Sequence, residues 1–194
     1  MCWHEPESLL CDDAAVDSLT AVGLGLDYGD LRLGRTTQAW LDAAGELRAR
    51  VAEGLHGLAA EVELVGSSSV LGLLAKPIID LAVGLTVKQS ISPVTARLKA
   101  DGWIYRGDAG DQGGHVLVLE CRPWHRVAHL HVVDPDGGQW HAYLCFREIL
   151  RHSSRARERY EAVKLTLAEQ RPVDRKAYTD GKSAVVASII DEVA

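Results

Sequence analysis

At 194 residues with 47% hydrophobic content, the chain is long enough to bury one substantial core, and no long polar linker divides it into two globular halves. Its formal net charge of −6 disfavours a general nucleic-acid surface, although Arg147–Arg159 is locally basic. No run approaches the roughly 18 apolar residues of a membrane span, Met1–Pro6 lacks the order of a secretion signal, and Cys2, Cys11, Cys121 and Cys145 share no metal-like spacing. The expectation is a cytoplasmic protein, off the membrane, with reduced cysteines.

Residues 1–34 are poorly patterned, because Gly23, Gly25, Gly29 and Gly34 interrupt the apolar positions. They are set apart as an N-terminal arm or extension of a domain over 35–194. From Thr36 the spacing of Trp40, Ala44, Leu47, Val51, Leu55 and Leu58 predicts a long helix capped by Thr36 or Thr37. Two β-branched and aliphatic runs, Val62–Val65 and Ile78–Val83, then read as strands joined by a turn and a short helix. Gly66 lets the backbone approach a ligand, and Ser67, Ser68 and Ser69 offer hydroxyls at a helix N-terminus, where phosphate is attracted. Taken alone, the same residues make an ordinary capped turn. Lys76-Pro77 restarts the chain in extended form, and Asp80 lands in an otherwise apolar strand, where a carboxylate needs a reason.

Ser90 or Ser92 then caps a helix carrying Val94 and Leu98, ended by Gly102, and Trp103–Tyr105 is a short strand before the glycine-rich stretch Asp108–Gly114. His115–Cys121 and Val127–Val133 read as an antiparallel pair that brings Glu120, His129 and His131 into one sheet. His129 and His131 are two apart, so they share a face and can meet the face bearing Asp80. Such a pair can ligate a metal, bond phosphate, or simply face solvent. Three helical stripes follow, on Trp140, Tyr143, Leu144 and Ile149, on Ala156, Tyr160, Val163 and Leu167, and on Ala184, Val185, Ile189 and Ile190.

Gly66-Ser67-Ser68-Ser69-Val70-Leu71-Gly72-Leu73, followed by Ala75-Lys76-Pro77-Ile78-Ile79-Asp80, closely resembles the signature of the GrpB-like family. That signature usually runs Gly-Ser-Thr-Ser/Ala-Val-Pro-Gly-Leu and then Ala-Lys-Pro-Ile-Ile-Asp. The family belongs to the nucleotidyltransferase superfamily typified by DNA polymerase beta. The likeness continues through Tyr105–Gly110, His129–Val133, Phe146–Arg151 and Tyr178–Lys182, so it runs from about Glu61 to the C-terminus. It departs at Leu71, where the family usually has proline, and after Gly110.

The resemblance implies an α+β fold, a nucleotidyltransferase-like mixed sheet flanked by helices with a C-terminal helical set. In the superfamily one strand carries Asp-x-Asp/Glu and a later strand a third acid, and together they hold two magnesium ions on the nucleotide phosphates. Here Ala82 stands two residues after Asp80, so the second acid is missing, and Glu120 or the histidines would stand in. Asp80, Glu120, His129 and His131 are thus the implied catalytic residues, with Asp80, Glu120 and His131 on metal. Gly66, Ser67, Ser68, Lys76, Arg106, Arg147, Lys164, Tyr178 and Lys182 are the implied phosphate wall. The implied activity is magnesium-dependent transfer of a nucleotidyl group from a nucleoside triphosphate to a small acceptor. A non-catalytic nucleotide- or phosphate-binding module of the same fold competes with it, favoured by Ala82, and hydrolysis through a histidine nucleophile rests on His129 and His131 alone.

Overall fold

The computed structural model describes residues 13–58, 60–85, 91–108, 114–170 and 175–192. In chain order the elements are α1 (Asp13–Ala21), β1 (Leu26–Asp27), β2 (Gly34–Arg35), α2 (Gln38–Gly54), β3 (Ala60–Val65), β4 (Leu74–Ala75) and β5 (Ile79–Leu85). They continue with α3 (Ile91–Ala100), β6 (Ile104–Asp108), β7 (His115–Arg122), β8 (His125–Val133), α4 (Gly138–His152), α5 (Ser154–Glu169) and α6 (Arg175–Asp191). The main sheet runs β3-β5-β8-β7-β6, with β1 added against β8. β5 and β8 are parallel and the other pairs in the sheet are antiparallel, which makes it the mixed sheet that the resemblance implied.

Local chemistry accounts for the boundaries. Thr37 caps α2 by accepting from the Trp40 N–H at 3.2 Å, and Ser153 caps α5 by accepting from Ala156 N–H at 3.1 Å. Gly102 ends α3, and the Trp103 N–H returns to the Leu98 carbonyl at 2.9 Å. Ser92 lies inside α3 rather than capping it, and Ser90 lies outside the described residues.

On β5 the side chains alternate between the two faces of the sheet. Ile79, Leu81 and Val83 join Leu130 and Val132 of β8 in the principal core, against Val16 and Leu19 of α1, Trp40, Leu47 and Val51 of α2, and Val94 and Leu98 of α3. Within residues 1–34, set apart in the sequence as an arm, the described part from 13 onward contributes a helix to the main core and a strand to the main sheet. Asp80, Ala82 and Gly84 face the other way. There α4 seals one end, where Trp140 packs with Val65, Ala82 and Val133. A further cluster of Leu73, Phe146, Leu150, Tyr160 and Ile189 fastens α4, α5 and α6 to one another and to the segment after the Ser67–Ser69 turn. The rest of this face stays open.

Candidate functional site

The opening is a cleft of about 830 Å³ between the uncovered part of the sheet, the turn after β3, and the C-terminal helices. Val65 pairs with Asp80, so the turn that follows β3 folds back directly over the Asp80 side chain. Gly66 sits there at φ +68°, and a Cβ on it would come within 2.9 Å of Asp80 Oδ2. Conformation and space both demand glycine. Ser67–Ser69 form one 3-10 turn, in which Ser69 Oγ donates to the Gly66 carbonyl at 2.7 Å and Ser68 Oγ accepts from the Asp80 N–H at 3.1 Å. The polar turn thus fixes the backbone of Asp80 on the neighbouring strand.

The parallel register of β5 and β8 sets Asp80 beside His129 and Ala82 beside His131. His129 Nδ1 lies 3.1 Å from Asp80 Oδ1, and its Nε2 lies 3.3 Å from Arg126 Nη1. Arginine can only donate, so Nε2 accepts and Nδ1–H donates to the carboxylate. Burial pushes the Asp80 carboxyl up, but the His129 hydrogen bond, the charge of Lys182 and the charges His129 and His131 carry at the low pH where a carboxyl titrates outweigh it and hold the carboxyl below its usual range. His131 is lowered to about 4 by burial, which outweighs the attraction of Asp80, so its imidazole is neutral at pH 7. Its Nδ1 is buried with no hydrogen-bond partner among the described residues, and its ring centroid lies 5.5 Å from that of Tyr143.

Across the cleft, Lys164 is 2% exposed, donates to Ser67 Oγ at 3.3 Å and to the Leu74 carbonyl, and has its ammonium 4.2 Å from the Tyr160 ring centroid. Burial lowers it to about 7, the neighbouring Lys182 charge adds to this, and Glu161 opposes it. Burial pushes the Tyr160 hydroxyl up to about 12 against a hydrogen bond with Ser67. Lys76, Lys182 and Asp180 complete this side of the lining.

Asp80, His129, His131, Gly66, Ser67, Ser68, Lys76, Arg106, Lys164 and Lys182 therefore share one cleft. Three expectations fare differently. Glu120 is not brought to Asp80, since its carboxylate accepts from the Tyr28 hydroxyl at 2.7 Å, from Arg106 at 3.0 Å and from the Trp124 N–H at 3.0 Å. Among the described residues no three of His, Cys, Asp and Glu lie close enough to hold a metal, so the set Asp80, Glu120 and His131 does not assemble. Arg147 is withdrawn from the phosphate wall, because it bonds Glu63 at 2.6 Å and the Leu64 carbonyl at 2.8 Å and so ties α4 to β3. The side chain of Tyr178 lies outside the described residues. Sequence reasoning missed Arg126, Tyr28, Tyr143 and Asp180, which also line the cleft. Arg126 had a signal, being a charge just ahead of an apolar strand run, the same kind of anomaly that marked Asp80.

The mixed sheet, with Asp80 at the start of a central strand and the Gly66 turn over it, defines a nucleotidyltransferase-like fold. A chain of the GLD-2/RNP-8 complex shares this fold with a TM-score of 0.53 at 11% identity, covering 92% of this chain and 63% of that one. The chain belongs to the GrpB family, whose model, described as GrpB protein, matches residues 30–192. It is 36% identical over 169 residues to a UPF0157 protein of Streptomyces coelicolor, covering 87% of this chain and 83% of that one. The Glutamate-rich protein GrpB of Alkalihalophilus pseudofirmus is 26% identical over 88% of this chain and 99% of its own. The crystal structure of conserved protein GrpB from Enterococcus faecalis superposes with a TM-score of 0.72 at 28% identity, covering 83% of this chain and 96% of that one. Among the described residues no helix is long and apolar enough to cross a membrane.

Proposed function

We propose that the cleft binds a nucleoside triphosphate and that the chain transfers its nucleotidyl group to a small-molecule acceptor. The observation carrying this reading is the meeting, in one cleft, of the Gly66-Ser67 turn, an Asp80 carboxyl held below its usual range, and Lys164 and Lys182. The turn and the lysines suit phosphate oxygens by hydrogen bonding and charge. The fold class leads one to expect magnesium, and the donors present fit one ion rather than two. His129 occupies Asp80 Oδ1, leaving Oδ2 beside the Gly66 turn, while Ala82 fills the place of a second acid under Trp140. Asp80 would hold that ion together with phosphate oxygens and water, and the ion would neutralise phosphate charge. The acceptor hydroxyl forms a bond to the α-phosphorus, the bond to the β-phosphate bridge breaks, and pyrophosphate leaves. The hydroxyl proton passes to solvent water, because burial lowers His131 to about 4 and leaves its imidazole a poor proton acceptor.

A second reading has its own support. Ala82 is fully buried beneath α4, which favours a nucleotide- or phosphate-binding module without transfer chemistry. Calorimetric titration with each triphosphate plus magnesium, alongside an assay for pyrophosphate release with small acceptors, separates the two. Wild type should bind, and Asp80→Asn should lose binding by about 100-fold or more as it loses the charge that anchors the ion. Equal binding by the variant would move the ion elsewhere, and binding without any pyrophosphate release would leave the module.

A further inference from the structure

Arg126 has no place in the phosphate wall, yet it is built into the cleft. β8 holds one residue more than β7 at this point, since Leu119 pairs with Ala128 but Glu120 pairs with Arg126. The bulge keeps both Val127 and Ala128 in the core under α1–α3 and turns Arg126 over to the cleft, where strict alternation would have sent it to the core side. A second irregularity, in β6 between Tyr105 and Gly107, accompanies Arg106, which also reaches the cleft.

Arg126 is 8% exposed, and its guanidinium carbon lies 3.7 Å from the Tyr28 ring centroid. Its Nη1 donates to His129, and among the described residues its Nε is buried without a partner and no carboxylate pairs with it. Glu120, opposite it in register, is taken up by Tyr28, Arg106 and the Trp124 N–H. A buried guanidinium without a counter-charge is costly, and a cation stacked on an aromatic ring at the wall of a cleft is well placed to receive an oxyanion.

We infer that Arg126, stacked on Tyr28 and followed by Arg106, anchors a second anion subsite beyond His129 from the Gly66–Lys164 phosphate wall, and that it takes the carboxylate or phosphate group of the acceptor. The acceptor as occupant rests on the transferase reading; the anion subsite does not. The full chain is titrated calorimetrically with inorganic phosphate and with succinate, before and after saturation with each of the four common nucleoside triphosphates and magnesium. Wild type, Arg126→Gln, Arg126→Lys and Lys182→Gln are compared. Wild type saturated with triphosphate should still take up one of the two anions, and which one it takes identifies the acceptor's group. Arg126→Gln should lose that uptake by about tenfold or more, Arg126→Lys should keep part of it, and Lys182→Gln should weaken triphosphate instead. Arg126→Gln removes an unbalanced buried charge, so without added anion its thermal midpoint should not fall.

The inference is overturned if wild type takes neither anion, if Arg126→Gln takes both as wild type does, or if Arg126→Gln weakens triphosphate as strongly as Lys182→Gln. Should wild type take an anion through Arg126 but no triphosphate, the subsite stands and the transferase reading fails.

Discussion

On β5, Ile79, Leu81 and Val83 are fully buried against α1–α3, while Asp80, one residue from Ile79, faces the cleft with its side chain 34% exposed. β8 repeats the contrast, with Leu130 and Val132 in the core and His129 and His131 on the cleft side. The core face uses interchangeable aliphatic volume to secure the sheet. The opposite face is itself divided, since Ala82 and Gly84 lie packed under Trp140 whereas Asp80 and His129 line the cleft. One pair of strands therefore supplies the aliphatic core on one side and the polar side chains of the cleft on the other, and α4 decides where the cleft stops.

Restoring an acid at position 82 is the hardest test of that division. Ala82→Asp puts a carboxylate beneath Trp140 and Val65, and it should cost about 4 kcal/mol or more in urea unfolding. Wild-type stability in this variant would mean that α4 does not seal the site. On the other face, Leu81→Ala leaves a cavity in the principal core and should cost about 3 kcal/mol while triphosphate affinity stays unchanged. A parallel loss of affinity would show that the two faces are not independent.

Arg147→Met sharpens the boundary between them. It removes the tie from α4 to Glu63 and the Leu64 carbonyl, so it should lower unfolding free energy by about 2 kcal/mol and leave triphosphate binding within about twofold of wild type. A large binding defect would return Arg147 to the phosphate wall. The smallest effect concerns Lys164, which burial lowers to about 7 from 10.5. Between those values the unfolded chain holds the proton that the folded chain has released, so wild-type stability gains a component as pH rises through this window. Relative to Lys164→Met, wild type should gain on the order of 1 kcal/mol between pH 7 and 8, and the same difference at both pH values would show that the buried amine keeps its proton.

What the sequence made legible was local. Thr37 as a cap, the alternation on β5, the glycine in the turn and the anomaly of Asp80 each depend on residues within a few positions of one another. What it concealed depends on partners far along the chain. Glu120 sits on the expected strand, but its carboxylate is claimed by Tyr28, 92 residues away. Arg147 looks like any helix cation until β3, 84 residues earlier, supplies Glu63. The bulge that turns Arg126 into the cleft is a mismatch between two strands, and neither strand shows it alone. Of the glycines that blurred residues 1–34, Gly23, Gly25 and Gly29 occupy connections and Gly34 opens β2, while Val16, Leu19 and Leu24 around them belong to the core.

The cleft draws its walls from Tyr28 near one end of the described chain, Asp80 and His129 in the middle, and Lys164 and Lys182 near the other. No contiguous segment contains it, so a partly opened molecule with α6 or β1 detached loses a wall of the cleft, and the proposed triphosphate would lose part of its site. A bound ligand is therefore linked to whole-molecule opening rather than local fraying. Amide protons in α6 and around β1 should slow together once the cleft is filled, joining the two ends of the chain into one cooperative unit.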